Sequence, residues 1–216
     1  MTTKAFQKLG GFCAISLGLI YITAFIVYGG FLDYPKANTT EIERFNFLYN
    51  NYSILSVINL ISYVLFGILL AILVVSIHLK TKEYSPNLST LTASFGIVWV
   101  GLVIASGIIA NIGLTAVIEI GIKEPQKAML IWKSVGIVSE GLGGGNEIVG
   151  AIWVLLLGIT TFKHLFFSKP LNLLGLFVAL AGILTIFPLD IFKEIFGISQ
   201  IIWFICIGTS MIQKTH

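Results

Sequence analysis

The chain has 216 residues, 56% of them hydrophobic and 11% charged, with a net charge of +3. Soluble domains carry about 25% charged residues, so the composition reads as a membrane protein with no polar block long enough for a soluble catalytic domain. No Lys/Arg stripe interleaved with aromatics is present, which argues against a nucleic-acid partner.

Apolar runs near the ~20 residues that cross a bilayer recur about six times. They predict an all-α fold: a polytopic transmembrane helix bundle, one domain over 1–216, with the lipid bilayer as its first partner. Lys4 and Lys8 precede the first run, as in a signal peptide. That run is long, however, and Tyr28-Gly29-Gly30-Phe31 follows where a small-x-small cleavage site would stand. It is therefore an uncleaved first span, 10–28, with Tyr21, Tyr28 and Phe31 as an aromatic belt. Residues 31–52 are the longest polar segment. Within it Thr40 and Glu43 have the spacing of a capping box, which predicts a short surface helix over 41–48. Span two covers 53–79, with Asn59, Ser62 and Tyr63 in one half and a Gly67/Ala71 small-residue pair in the other. His78 ends it as a cation near a helix C-terminus.

The next two apolar runs, 88–122 and 128–162, are about 35 residues each. As straight helices they would measure about 52 Å, against a hydrocarbon core of about 30 Å. They must tilt, break or project. Asn111-Ile112-Gly113 is the expected break in the first, and Glu119 beyond it argues for projection. The membrane parts are then 88–110 and 142–162, joined by a helical hairpin tip, 112–139, that stands outside or re-enters. Lys133 and Glu140, seven apart, share a face of that tip. Span five covers 171–188 and span six 196–212, with Asp190, Lys193 and Glu194 between them. Lys4, Lys8, Lys80, Lys82, Lys163, Lys169 and Lys214 fall on one side in short loops. Lys36, Arg44, Lys123, Lys127, Lys133 and Lys193 fall on the other. This bias places both termini in the cytoplasm.

The oddest stretch is 140–153, EGLGGGNEIVGAIW. A carboxylate in hydrocarbon costs roughly 2.5–3.5 kcal/mol on insertion scales, so Glu147 must face other helices or a cavity. On one continuous helix Gly143, Gly144, Glu147, Gly150 and Ala151 would share a face. Gly141 and Gly145 have the spacing of close helix approach, with a glycine bend as the equal alternative. The candidate ligand- or ion-binding residues are Glu147, Asn146, Glu140, Asn111, Asn59 and Gln200. The candidate helix-packing residues are Gly141, Gly143, Gly144, Gly145, Gly150 and Ala151. No zinc-protease, P-loop or nucleophile-elbow motif occurs. No cofactor, metal or catalytic set is expected. Cys13 and Cys206 lie inside apolar runs and are expected to stay unpaired.

The block EIVGAIWVLLLG, 147–158, and the closing segments GILTIFP and FGISQIIWFICIG resemble a bacterial family of small multi-pass membrane proteins known as a domain of unknown function. Glu147, Trp153, Pro188 and Trp203 carry the resemblance. It implies a six-helix bundle in a bacterial inner (cytoplasmic) membrane and brings no substrate or reaction.

Three functions fit. The first is a non-catalytic structural or accessory protein, acting as a homodimer or with a membrane-protein partner. The second is a small-ligand or cation/proton-coupled transporter or binding protein using Glu147. The third is an intramembrane enzyme that modifies lipid. A cavity reaching Glu147 favours the second, and a dry, packed Glu147 the first. A paired Glu147 further predicts that Leu at this position destabilises the bundle.

Overall fold

A computed structural model describes residues 3–36, 38–144, 147–164, 166–187 and 189–213. These residues form helices and connections, with no strand among them. The helices are α1 (Thr3–Ile26), α2 (Glu41–Asn50), α3 (Tyr52–Asn59), α4 (Phe66–Thr81), α5 (Pro86–Gly121), α6 (Pro125–Ser139), α7 (Ile148–His164), α8 (Lys169–Leu184) and α9 (Asp190–Gln213). Three π turns lie between or after them: Val27–Phe31, Leu60–Leu65 and Glu140–Gly144.

Five runs are long and apolar enough to cross a membrane: Thr3–Phe31, Tyr52–Thr81, Pro86–Gly121, Pro125–Phe162 and Ile191–Gln213. This is the pattern of a multi-pass membrane protein. Helix α8 is also apolar but has 16 residues, about 24 Å at 1.5 Å per residue. It stops at Leu184, short of the expected 188. Thr185 turns its hydroxyl back onto the Gly182 carbonyl at 2.6 Å, and a residue before a proline is biased away from helix.

Helices α1 and α9 run antiparallel along their whole contact. Gly11 packs against Gly208 and Ile212, Gly18 against Ile201 and Ile205, and Phe25 against Gly197. The start of α1 and the end of α9 therefore lie at the same end of the bundle. Helix α4 packs between α1 and α5, α7 between α5 and α8, and α8 against α9. Outward from the bundle α8 shows one apolar stripe, Leu173, Leu176, Phe177, Leu180 and Ile183, all exposed at the 3.6-residue period of a helix face.

A circuit of aromatic rings holds the centre. Phe66, Trp99, Trp153, Trp203 and Phe204 follow one another at centroid spacings of 6.0, 5.7, 5.7 and 5.4 Å, and Phe204 returns to Phe66 at 6.0 Å. Four helices contribute, and each contact adds about 0.5–1.5 kcal/mol beyond area burial. Each tryptophan is seated on a glycine of a neighbouring helix. A Cβ on Gly150 would lie 2.5 Å from the Trp99 ring, one on Gly96 2.8 Å from Trp153 Nε1, and one on Gly175 2.9 Å from Trp203 Nε1.

A second core stands at the far end. Helix α5 is one unbroken helix of 36 residues, about 54 Å long, and α6 folds back along its distal part. With α2 and α3 they bury Leu32, Phe45, Leu48, Leu55, Leu114, Val117, Ala128 and Met129. The capping box is formed: Thr40 N–H donates to Glu43 Oε2 at 2.8 Å, and Glu43 N–H to Thr40 Oγ1 at 3.3 Å. The Thr40 N–H, and after it the Thr40 hydroxyl, holds the Glu43 carboxyl below the usual carboxylate range.

One expectation is corrected here. The chain does not break at Asn111–Gly113: Gly113 is covered by Val135 of α6, whose side chain lies 2.6 Å from where a Cβ would stand. The break falls instead in the next run, where Gly143 takes φ 112°, a backbone region that disfavours side chains. Lys133 and Glu140, expected on one face, make separate contacts. Glu140 binds Lys193 at 2.5 Å, while Lys133 lines a surface groove with Glu41 and Arg44. Cys13 and Cys206 are both free thiols.

Candidate functional site

Where the fourth run breaks, the bundle opens into a cavity of about 440 Å³. Helix α1 supplies Ile20, Tyr21, Ala24 and Phe25, a spacing that puts all four on one helix face. The π turn after α1 adds Tyr28 and Gly29, and that between α3 and α4 adds Ser62 and Tyr63. Phe66 follows from α4, Trp99 and Val103 from α5, and Glu194 from α9. Gly143 of the third π turn and Glu147 complete the wall. All three π turns of the described residues thus border one cavity. A π turn leaves the regular hydrogen-bond ladder and is often kept at functional sites.

Glu147 enters at the start of α7. Its carbonyl accepts the Ala151 N–H at 2.8 Å, so it stands at the helix N-terminus, where backbone N–H groups are otherwise unpartnered. Its own N–H donates to Thr185 Oγ1 at 3.0 Å, tying the break to the end of α8. Its side chain carries a buried Oε2 with no hydrogen-bond partner. Ser62 Oγ, which borders the same cavity, is buried and unpartnered as well, and the buried Trp99 indole N–H faces the Glu147 carboxyl without closing a well-formed hydrogen bond. A buried polar atom left unpaired costs about 1–3 kcal/mol, and here three such atoms share one space. Two carboxyl groups and no basic side chain line it among the described residues.

A second cavity of about 360 Å³ lies toward the far core, bordered by Tyr34, Phe47, Leu48, Asn59, Trp132 and Ser139. Tyr28 and Tyr63 line both cavities, and the Tyr28 hydroxyl donates to Asn59 Oδ1 at 2.8 Å. Burial raises the Tyr34 hydroxyl above its ordinary pKa.

The sequence-derived candidates separate accordingly. Glu147 and Gly143 border the first cavity and Asn59 the second. Glu140 is on the surface in its ion pair with Lys193, a contact worth about 0–1 kcal/mol. Asn111 and Gln200 line neither cavity. Asn111 Oδ1 and both amide atoms of Gln200, a fully buried residue, have no partner. Gly150 and Ala151 are packed, against Trp99 and beside Gly182. Gly141 has open space where its Cβ would be, and so does Gly143, so neither serves close helix approach. Because the helix breaks at Gly143, Gly143 and Gly144 do not share a helix face with Glu147 as expected. Gly144 closes the third π turn. Gly145 and Asn146 lie outside the described residues.

Sequence reasoning missed Tyr21, Ser62, Tyr63, Phe66, Trp99 and Glu194 as neighbours of Glu147. The sequence reading places Tyr21 and Tyr28 in an interfacial belt. The available signal was the clustering of Tyr21, Tyr28, Ser62 and Tyr63 in matching halves of the first two spans, at the depth expected for Glu147.

No group of three or more His, Cys, Asp or Glu side chains that could hold a metal occurs among the described residues. The chain matches no protein-family model, no curated protein and no solved structure.

Proposed function

We propose that this is a membrane-embedded binding protein whose cavity holds a small ligand, with Glu147 as the polar anchor. One observation carries the reading: a buried, unpartnered Glu147 carboxyl oxygen on a cavity of about 440 Å³. That volume is in the range of drug-sized ligand pockets, as is a mainly apolar wall with a few convergent polar groups. The structural or accessory reading, favoured by the sequence alone, needs Glu147 to be paired within packing, and its Oε2 has no partner.

Stability decides between them. If Glu147 is held ready for a ligand, Glu147→Leu and Glu147→Gln keep the melting temperature of the ligand-free protein within a few degrees. A small-molecule stability screen then finds compounds that raise the melting temperature of wild type, by mass action, and fail to raise that of Glu147→Leu. Collapse of Glu147→Leu with survival of Glu147→Gln would return Glu147 to a packing role.

We further propose that both termini face the cytoplasm of a bacterial cell. Support comes from Lys4, Lys8, Lys80, Lys82 and Lys169 in or beside short loops, and from the family resemblance. A C-terminal alkaline phosphatase fusion should then be inactive, and activity would reverse the orientation.

A further inference from the structure

We infer that the ligand of this cavity is an organic cation, with a compact ammonium head held by Glu147 and Glu194 and walled by Tyr21, Tyr63, Phe66 and Trp99. The inference rests on the reading of the cavity as a ligand site and adds the chemical class of the ligand. Charge comes first. Two carboxyl groups, of Glu147 and Glu194, stand on the wall, and no Lys, Arg or His joins them among the described residues. The nearby Lys193 is engaged by Glu140 at 2.5 Å. An anionic ligand would find two carboxyl groups and no cation on the wall to pair with it.

Size and donor chemistry come second. Hard metal ions ask for six or more oxygen ligands in a tight shell. This cavity is far larger than a bare ion and is walled mostly by carbon. Aromatic side chains attract ammonium groups through the ring quadrupole, Trp and Tyr most strongly, and more so where water is excluded. Six of them, Tyr21, Phe25, Tyr28, Tyr63, Phe66 and Trp99, border the same space as the two carboxyl groups. A purely apolar ligand would leave Glu147 Oε2, Ser62 Oγ and Trp99 Nε1 desolvated and unpaired. An ammonium head answers the carboxyl, and a polar atom beside it answers the other two.

The test uses three probes on the full chain in nanodiscs: a phenylalkyl trimethylammonium ion, its uncharged tert-butyl isostere of the same shape, and a phenylalkyl carboxylate of opposite charge. The expected result is that the ammonium ion binds at least about tenfold more tightly than the isostere. Glu147→Gln should remove that difference. Tyr21→Leu should weaken the cation several-fold, whereas Tyr21→Phe, which keeps the ring, should not. Equal binding of cation and isostere, or preference for the carboxylate, overturns the cationic ligand and leaves the ligand-site reading standing. Binding of none of the three overturns both. Nanodiscs of phosphatidylglycerol and of phosphatidylcholine separate two sources of the same chemistry. Probe binding lost only in phosphatidylcholine identifies a lipid headgroup, and equal binding in both identifies a free amine.

Discussion

The two longest apolar runs have nearly the same length, 36 and 38 residues, yet α5 is a single straight-through helix while the run from Pro125 to Phe162 breaks. The difference lies in what their glycines touch. Of the five glycines in α5, Gly101 meets open space, and Gly96, Gly107, Gly113 and Gly121 each face a side chain of another element within 2.7 Å of a notional Cβ: Val74, Tyr63, Val135 and Phe45. Those four glycines cost helix propensity, roughly 0.8–1 kcal/mol apiece, but they are spread out, and each allows a contact that offsets the cost. In the next run four glycines fall between 141 and 145, a local deficit of about 3–4 kcal/mol. Gly141 and Gly143 touch nothing there. The chain leaves the helix, and the space it vacates is part of the cavity wall.

The largest test breaks the straight run. Ile112→Pro removes an exposed side chain, so its effect isolates the backbone. It should cost about 3 kcal/mol or more, read as lost helical circular dichroism and an earlier thermal transition in detergent. A stability like wild type would mean that α5 is already interrupted near Asn111, as the sequence suggests.

Next comes a packing glycine. A Cβ on Gly107 would stand 2.2 Å from Tyr63 Cβ, an atom fixed to its backbone. Gly107→Ala should destabilise by about 1–3 kcal/mol and shift Tyr63 from the cavity. A neutral result would show that α5 and the second span do not approach as closely as described.

The smallest effect compares two glycines of the break. Gly143→Ala meets no neighbour but is strained at φ 112°, costing about 1–2 kcal/mol. Gly141→Ala also meets no neighbour and keeps a helical backbone. It should stabilise by about 0.5–1 kcal/mol. Opposite signs in thermal unfolding support a conformational role for Gly143, and equal signs remove it.

What the sequence by itself determined is local. Hydropathy over about 20 residues marked the chain as a bundle of long apolar helices. Thr40 and Glu43, three apart, were enough to specify the start of α2. Glu147 stood out because a carboxyl in an apolar run is rare. Tertiary structure decided the rest. Whether Gly113 or Gly143 would mark the break depended on which had a partner across the fold: Gly113 has Val135, and Gly143 has none. Seating Trp99, Trp153 and Trp203 on Gly150, Gly96 and Gly175 is likewise a match between helices, invisible to any periodicity within one. The cavity is the clearest case. Its walls come from residues as far apart as Ile20 and Glu194, and no pattern along the chain records that three π turns border one space. Helix propensity and hydropathy act over a few turns of one segment. Cavities and unpaired polar atoms arise from how separate segments fail to fill the space between them.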